Sequence, residues 1–113
     1  MAGDLKALIA CTEDGRLIGI LQGDNLPPIN SPGIGSWTHQ GGRAFAVTFR
    51  VVVYDPEGAL IGVAKVRGTC LFDETGNAWS GQFKYEVIAP NGNILLTTKG
   101  PWQATRIKVE PLN

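Results

Sequence analysis

The sequence predicts one all-β domain over residues 1–113, folded as an antiparallel up-and-down barrel of seven to eight strands. Three observations lead to this prediction. Fifteen glycines, seven prolines and many β-branched or aromatic residues favour strands over helices. No segment keeps the apolar periodicity of a helix. A glycine-containing turn recurs along the chain and separates long apolar stretches.

The recurring turn has one composition at every occurrence. Acidic, proline or asparagine residues precede a glycine, and an apolar stretch then resumes. Glycine adopts the positive φ that tight hairpin turns require, while Asp, Asn and Pro favour the other turn positions. We therefore predict hairpins within Thr12–Gly19, Asp55–Gly62, Asp73–Gly81 and Ala89–Leu96.

The turns leave seven strand candidates. Because strands in a meander alternate in direction, the first and the seventh run parallel, and closing an antiparallel barrel needs an eighth strand. Either a bulge or kink at Gly100-Pro101 divides the last candidate, or a partner chain completes the edge, as in a homodimer. The candidates are Leu5–Thr12, Leu17–Gln22, Ser36–Gln40, Ala44–Tyr54, Leu60–Phe72, Ala78–Ile88 and Ile94–Val109.

The longest connection is Gly23–Gly35, and its three prolines argue against any strand within it. A loop of this length in a compact domain is usually functional, so we expect it to gate a binding site.

Alternating side chains predict the inner and outer faces of the sheet. In the sixth candidate, Phe83 and Tyr85 face inward, while Lys84 and Glu86 face outward to solvent. The inner face of the fifth candidate mixes glycine and alanine with larger residues, which is typical of a tightly curled sheet. Long strands of this kind favour a barrel over a sandwich.

Charge and targeting signals narrow the class of protein. Ten Lys/Arg balance ten Asp/Glu, so the chain lacks the net positive field that neutralises a phosphate backbone, and no nucleic-acid partner is expected. No apolar run approaches the ~18 residues of a membrane-spanning helix, and the first residues lack the pattern of a secretory signal. We expect a cytoplasmic protein without a membrane partner. Its two cysteines, Cys11 and Cys70, are expected to be buried free thiols.

Two further features bring a family resemblance. Gly35-Ser36-Trp37 lies on a short predicted strand and Arg106 on the last one, and lipocalins place a Gly-x-Trp indole against a late arginine at one barrel end. The stretch GSWTHQGGRAFAVTFRVVVYDPEGALIGVAKVRGT, with the later PWQATRI, resembles small bacterial lipocalin-like or allene-oxide-cyclase-like proteins over about Gly33 to Ile107. This resemblance implies an eight-stranded, calycin-like barrel with a cavity for a small apolar molecule, and a few such barrels are cyclases. In lipocalins the Gly-x-Trp lies on the first strand, whereas two predicted strands precede it here.

The candidate chemistry centres on residues expected inside the barrel. His39 shares a strand face with Trp37, and an inward imidazole or the Tyr85 hydroxyl would be the catalytic candidates for proton transfer. The simpler alternative for His39 is a solvated strand end beside the Gly41-Gly42 turn. Ligand spacings for a metal are absent, as are nucleophile and phosphate-binding motifs, so we predict neither metal nor cofactor. The ligand-binding candidates are Trp37, His39, Trp79, Phe83, Tyr85, Trp102 and Arg106.

Three functions remain open on this interpretation. The first is binding of a small hydrophobic molecule inside the barrel, gated by the 23–35 loop. The second is a cofactor-free cyclase or isomerase that uses the same pocket. The third is a filled barrel that acts as an oligomeric interaction module through outward residues such as Val52 and Tyr54.

Overall fold

The computed structural model describes residues 5–23 and 29–112, with side chains described for residues 7–21 and 29–112. The described chain is all-β and antiparallel, as predicted. All seven strand candidates are present, with ends that differ by a few residues from the prediction. The strands are β1 (Leu5–Cys11), β2 (Arg16–Gly23), β3 (Ile29–Asn30), β4 (Gly33–Gly41), β5 (Ala44–Tyr54), β6 (Leu60–Phe72), β7 (Ala78–Ile88) and β8 (Ile94–Thr105).

The strands form one curled half-barrel sheet. Seven of them follow each other in the order β1-β2-β4-β5-β6-β7-β8, and each pairs antiparallel with the next. The short β3 pairs with β5 outside this path. Within residues 5–23 and 29–112, β1 and β8 have a strand partner on one side only, so both are edge strands.

The predicted hairpin turns are confirmed. In the β5–β6 turn, the Asp55 carboxylate accepts the backbone N–H groups of Glu57 and Ala59 at 2.9 Å each. This arrangement is typical of an aspartate at the first position of a turn. One glycine in each turn has the positive φ that the sequence predicts, namely Gly15, Gly58, Gly76 and Gly92.

The Gly23–Gly35 segment differs from its prediction, because part of it is a strand. Ile29 and Asn30 pair with Tyr54 and Val53 of β5. Ser31 extends this contact, since its N–H donates to the Val52 carbonyl and its hydroxyl accepts the Val52 N–H, both at 2.8 Å. A two-residue strand fits between prolines because it needs only these few backbone bonds. The predicted loop is also shorter at its ends, because Gly23 ends β2 and Gly33 begins β4, and residues 24–28 of the expected gate lie outside the described residues.

The interruption predicted at Gly100-Pro101 is wrong. β8 continues through both residues, which pair with Phe83 and Gln82 of β7, and the register shift between these two strands lies at Val87/Ile88 instead. Since β8 is an edge strand, alternate N–H groups point away from the ladder, and proline at such a position removes no ladder bond. The last candidate strand is therefore not divided into two, although it ends at Thr105 rather than Val109.

The concave face of the sheet carries the hydrophobic core. Its middle and the end near the β5–β6 turn are filled by a continuous cluster, in which Phe49, Val53 and Tyr85 are at most 1% exposed. The predicted inner face of β7 is confirmed by burial of Phe83, Tyr85 and Val87. On the outer face Glu86 departs from the prediction, since only 7% of it is exposed.

Candidate functional site

Aromatic side chains concentrate at the end of the concave face where β4 and β6 end, here called the aromatic end. Phe45 is central to one group: its ring lies 5.4 Å from Trp37 and 5.4 Å from Phe72, both edge-on, and 4.9 Å from His39. Edge-to-face contacts of this kind are the favoured aromatic geometry. The indole of Trp37 is further fixed because its Nε1 donates to the Thr12 carbonyl at 2.8 Å.

A second aromatic group surrounds Trp102, which is 7% exposed. Its ring lies 5.1 Å from Trp79 and 5.7 Å from Phe83, and its Nε1 donates to the Thr69 carbonyl at 2.8 Å. The indole lies directly against the backbone of Gly68, where an added Cβ would overlap the ring. A glycine at this point of β6 is therefore what allows Trp102 to lie flat on the sheet.

An open groove of about 430 Å³, here called the edge groove, lies between β1 and the end of β8. Ile9 of β1 and the indoles of Trp79 and Trp102 give it apolar walls, while Asn77 and Arg106 contribute polar groups. A neighbouring cleft of about 640 Å³ shares the Trp79 wall, and both are open to solvent. Their volumes fall in the range typical of small-molecule sites, although such sites are usually more enclosed.

His39 lies at the aromatic end but is exposed to solvent. Its Nε2 is 2.8 Å from the Gly42 carbonyl, an acceptor, so Nε2 carries the hydrogen of this bond. His39 pairs with Phe45, which pairs with Cys70 on the next strand. Tyr85 pairs with Val66, which pairs with Phe49. One row of inward residues, which includes Val47 and Phe83, therefore lies between the two catalytic candidates.

Tyr85 is the most deeply buried of the predicted site residues, with 0% of its surface exposed. Its hydroxyl has no hydrogen-bond partner among the described residues. Burial raises the pKa of this phenol to about 12, because the interior disfavours the phenolate. The group is therefore a neutral hydroxyl near pH 7, and it does not line the edge groove.

Of the predicted ligand-binding residues, the fold brings Trp79, Trp102 and Arg106 together in the edge groove. Phe83 supports them from below, through its contact with Trp102. The predicted pair of Trp37 and Arg106 does not occur among the described contacts. Trp37 contacts Phe45 and Thr12, whereas the backbone N–H of Arg106 donates to the Asn77 carbonyl at 2.7 Å.

Both cysteines are free thiols, as predicted, but only Cys70 is buried. Burial, together with the nearby Cys11, raises the pKa of Cys70 to about 11, and burial also raises the pKa of Cys11. A nucleophilic cysteine needs a lowered pKa, so neither thiol is activated. Cys11 is exposed because it ends the edge strand β1 at the edge groove, an exposure that the apolar sequence around it does not reveal.

A cluster of cations that the sequence does not reveal lies on the convex face. It is here called the basic stripe and consists of Arg50, Lys65, Arg67, Lys84 and Lys99. Register places Arg50 opposite Lys65, and Lys84 between Arg67 and Lys99. The buried Glu86 is the acidic residue among them: its carboxylate lies 2.8 Å from the Arg67 guanidinium and 3.8 Å from Lys84 Nζ. Each cation occupies an outward position that alternation predicts, but only strand register brings them together. The net charge of zero therefore does not reveal that cations are concentrated on the convex face.

Within the described ranges, no three His, Cys, Asp or Glu side chains approach each other closely enough to hold a metal ion. Those ranges also contain no helix of the length and apolar character needed to cross a membrane. Comparison with protein-family models, with curated proteins and with solved structures finds no match for this chain.

Proposed function

We propose that this protein binds a small, flat, apolar molecule in the edge groove at the open end of the curled sheet. The observation that carries the proposal is the pair of indoles, Trp79 and Trp102, on the wall of a groove of about 430 Å³. Aromatic walls with a few polar groups at the rim favour planar ligands, and Trp79, the less buried of the two indoles, offers the larger contact surface. The guanidinium of Arg106 and the amide of Asn77 supply donors for a carboxylate, carbonyl or similar oxygen on the ligand.

The filled interior supports a ligand position at the end of the sheet rather than at its centre. Phe49, Val66 and Tyr85 occupy the middle of the concave face and are at most 1% exposed. In this proposal the ligand lies above the packed layer with the indoles on one wall, and the half-barrel closes around it as an up-and-down, lipocalin-like barrel. Gly23 pairs with Leu5 and Ile29 with Tyr54 at the other end of the sheet, so the described ends of the Gly23–Gly35 segment do not support its role as a gate for this groove.

The proposal is tested with 1-anilinonaphthalene-8-sulfonate, a flat apolar probe with one anionic group, followed by its fluorescence. We expect saturable binding to the unmodified protein. Ala104 lines the groove, so Ala104→Trp fills it and weakens binding by about tenfold or more, whereas Ala59→Trp in the exposed β5–β6 turn leaves binding unchanged. Equal binding by both variants, or none by the unmodified protein, contradicts the proposal.

A second candidate function, an interaction module, is supported by the outer surface of β1, β2 and β4. Large apolar side chains lie opposite each other there and are more than half exposed: Leu8 faces Ile20, and Ile18 faces Ile34. Contiguous apolar patches of this kind are typical of surfaces that another protein covers. If this function is the main one, Ile18→Asp abolishes self-association without changing probe binding, which sedimentation velocity and the fluorescence titration together distinguish.

A further inference from the structure

The edge groove is bordered by two strand edges that lack a strand partner within the described residues, those of β1 and β8. Such edges present rows of N–H and C=O groups that readily pair with another strand. Residues on both sides of the groove face the same interior, since Ile9 and Cys11 of β1 line it together with Trp102 of β8. The groove is therefore a gap in the wall of the curled sheet, of the kind that one more strand closes.

A segment with strand character begins beside this gap, after Arg106, whose N–H still donates to the Asn77 carbonyl. Residues 107–112, here called the C-terminal arm, have no strand partner among the described residues, and Ile107 lies at the rim of the groove. Ile107 is 82%, Val109 101% and Leu112 103% exposed. Ile107 and Val109 alternate with Lys108 and Glu110, so an extended arm has one apolar and one charged face. Fully exposed apolar side chains in a strand-like pattern indicate a segment that becomes buried on another surface.

Strand direction decides which copy of the arm fits the gap. β1 and β8 run parallel to each other, so an antiparallel strand between them must run opposite to both. The arm of the same chain would have to reverse at once, yet residues 106–110 contain no glycine, asparagine or proline to form the turn. A two-fold axis perpendicular to the strands at the aromatic end inverts a second copy, and its arm then enters in the required direction.

We propose that two copies of this chain exchange C-terminal arms, each arm serving as the missing strand between β1 and β8 of the other copy. Ile107 and Val109 of the incoming arm lie on the inner side of this added strand, which forms the missing part of the groove wall, while Lys108 and Glu110 face solvent. The exchange closes the wall of the edge groove, so the site is complete only in the dimer. That the closed groove holds a ligand rests on the proposed function, whereas the exchange of arms does not.

The test is native mass spectrometry of the full chain, supported by sedimentation equilibrium, for three proteins. We expect the unmodified chain to be a dimer at micromolar concentration. The double variant Ile107→Asp, Val109→Asp removes the apolar face of the arm and raises the dimer dissociation constant by about a hundredfold. The matched variant Lys108→Ser, Glu110→Ser changes the other face of the same segment and remains dimeric.

Amide hydrogen exchange separates arm exchange from other dimers. The backbone amides of β1 should exchange slowly in the unmodified dimer and at least tenfold faster in the Asp double variant, since the arm covers that edge. A monomeric unmodified chain overturns the proposal, as does a dimer that survives the Asp double variant. Protection of β1 in a monomer also overturns it, because the arm would then pair with its own chain. None of these readouts depends on a ligand, so failure of the ligand proposal leaves them interpretable.

Discussion

Two neighbouring residues of β7, one on each face of the sheet, differ in whether their buried polar group has a partner. Glu86 on the convex face is 7% exposed, and its carboxylate lies 2.8 Å from the guanidinium of Arg67. Tyr85 on the concave face is 0% exposed, and its hydroxyl has no partner among the described residues. A buried polar group without a partner costs roughly 1–3 kcal/mol. The buried charge on the convex face is thus compensated, whereas the buried Tyr85 hydroxyl on the concave face is surrounded by apolar packing.

The largest expected effect tests the apolar packing of the concave face. Phe49 is 1% exposed and its ring lies against Gly19, so Phe49→Ala leaves a cavity in the core. We expect the free energy of unfolding to fall by about 3–5 kcal/mol. Thr48 is its exposed neighbour on the other face, and Thr48→Ala should change stability by less than about 0.5 kcal/mol. Urea denaturation of both variants measures the difference, and similar losses would contradict the assignment of the two faces.

A smaller loss is expected at the contact between Gly68 and Trp102. A methyl group at Gly68 overlaps the indole and displaces it from the sheet, together with its bond to the Thr69 carbonyl. Gly68→Ala should lower the free energy of unfolding by about 1–3 kcal/mol and shift the tryptophan emission to the red. Gly58→Ala is an unsuitable control because its φ is +87°, whereas Ala59→Gly in the same exposed turn should cost at most about 1 kcal/mol of chain entropy and leave the emission unshifted. An unshifted spectrum for Gly68→Ala would show that the indole does not lie on Gly68.

The convex face is tested by removing its central carboxylate. Glu86→Gln leaves Arg67 and Lys84 next to each other without a counter-charge, and like charges on opposing strand positions are destabilising. Arg67 is about half exposed, so solvent screening limits the expected loss to about 1–2 kcal/mol at low salt, and less at high salt. Thermal unfolding at two salt concentrations measures it, with the turn variant Glu57→Gln as the control. A loss that does not depend on salt would exclude charge repulsion as the cause.

The smallest expected effect, with the opposite sign, comes from Tyr85→Phe. The variant removes a buried hydroxyl that lacks a described partner, so we expect no loss and a gain of up to about 1 kcal/mol. Chemical denaturation at pH 7 checks the sign. A clear loss of stability would show that the hydroxyl has a partner outside the described residues, and the contrast between the two faces would then fail.

Stability at alkaline pH is a further test of burial on the concave face. The folded pKa values of Tyr85, about 12, and Cys70, about 11, lie above the ordinary values of 10.0 and 9.0. The unfolded chain therefore loses these protons first, so stability that is fully present below pH 9 declines as pH rises to about 12. Unfolding curves between pH 8 and 12 should show this decline in the unmodified protein and a weaker one in Tyr85→Phe. An equal decline in both would attribute it to other groups.

Local sequence signals were sufficient for some elements and insufficient for others. The Asp55–Gly62 hairpin was predictable because Asp, Pro and Gly each favour one position of the turn. Ile29–Asn30 was not, because its strand state depends on backbone bonds to β5 rather than on its own residues. Proline interrupts the hydrogen-bond ladder of a central strand, which is why an interruption is predicted at Pro101. Only the sheet order shows that its strand lies at an edge, where proline is tolerated.

The candidate site divides in the same way. Alternation along β7 and β8 was enough to turn Trp79, Phe83 and Trp102 toward one face. Trp79 and Trp102 meet Ile9 and Cys11 in the edge groove only because the sheet curls and brings its two edges near each other. The basic stripe likewise required register, since Arg50 and Lys99 lie on strands far apart in sequence.

The sequence by itself determined the all-β class, the positions of the hairpins and the inner face of β7, because these depend on turn chemistry and on an alternation of two residues. Tertiary structure alone decided the register, the edge positions of β1 and β8 among the described strands, the Arg67–Glu86 pair and the Trp102 indole lying on Gly68. The physical reason is the distance along the chain over which each signal acts. Turn and alternation signals act between neighbours in the chain, whereas these contacts join residues that only the curvature and order of the whole sheet bring together.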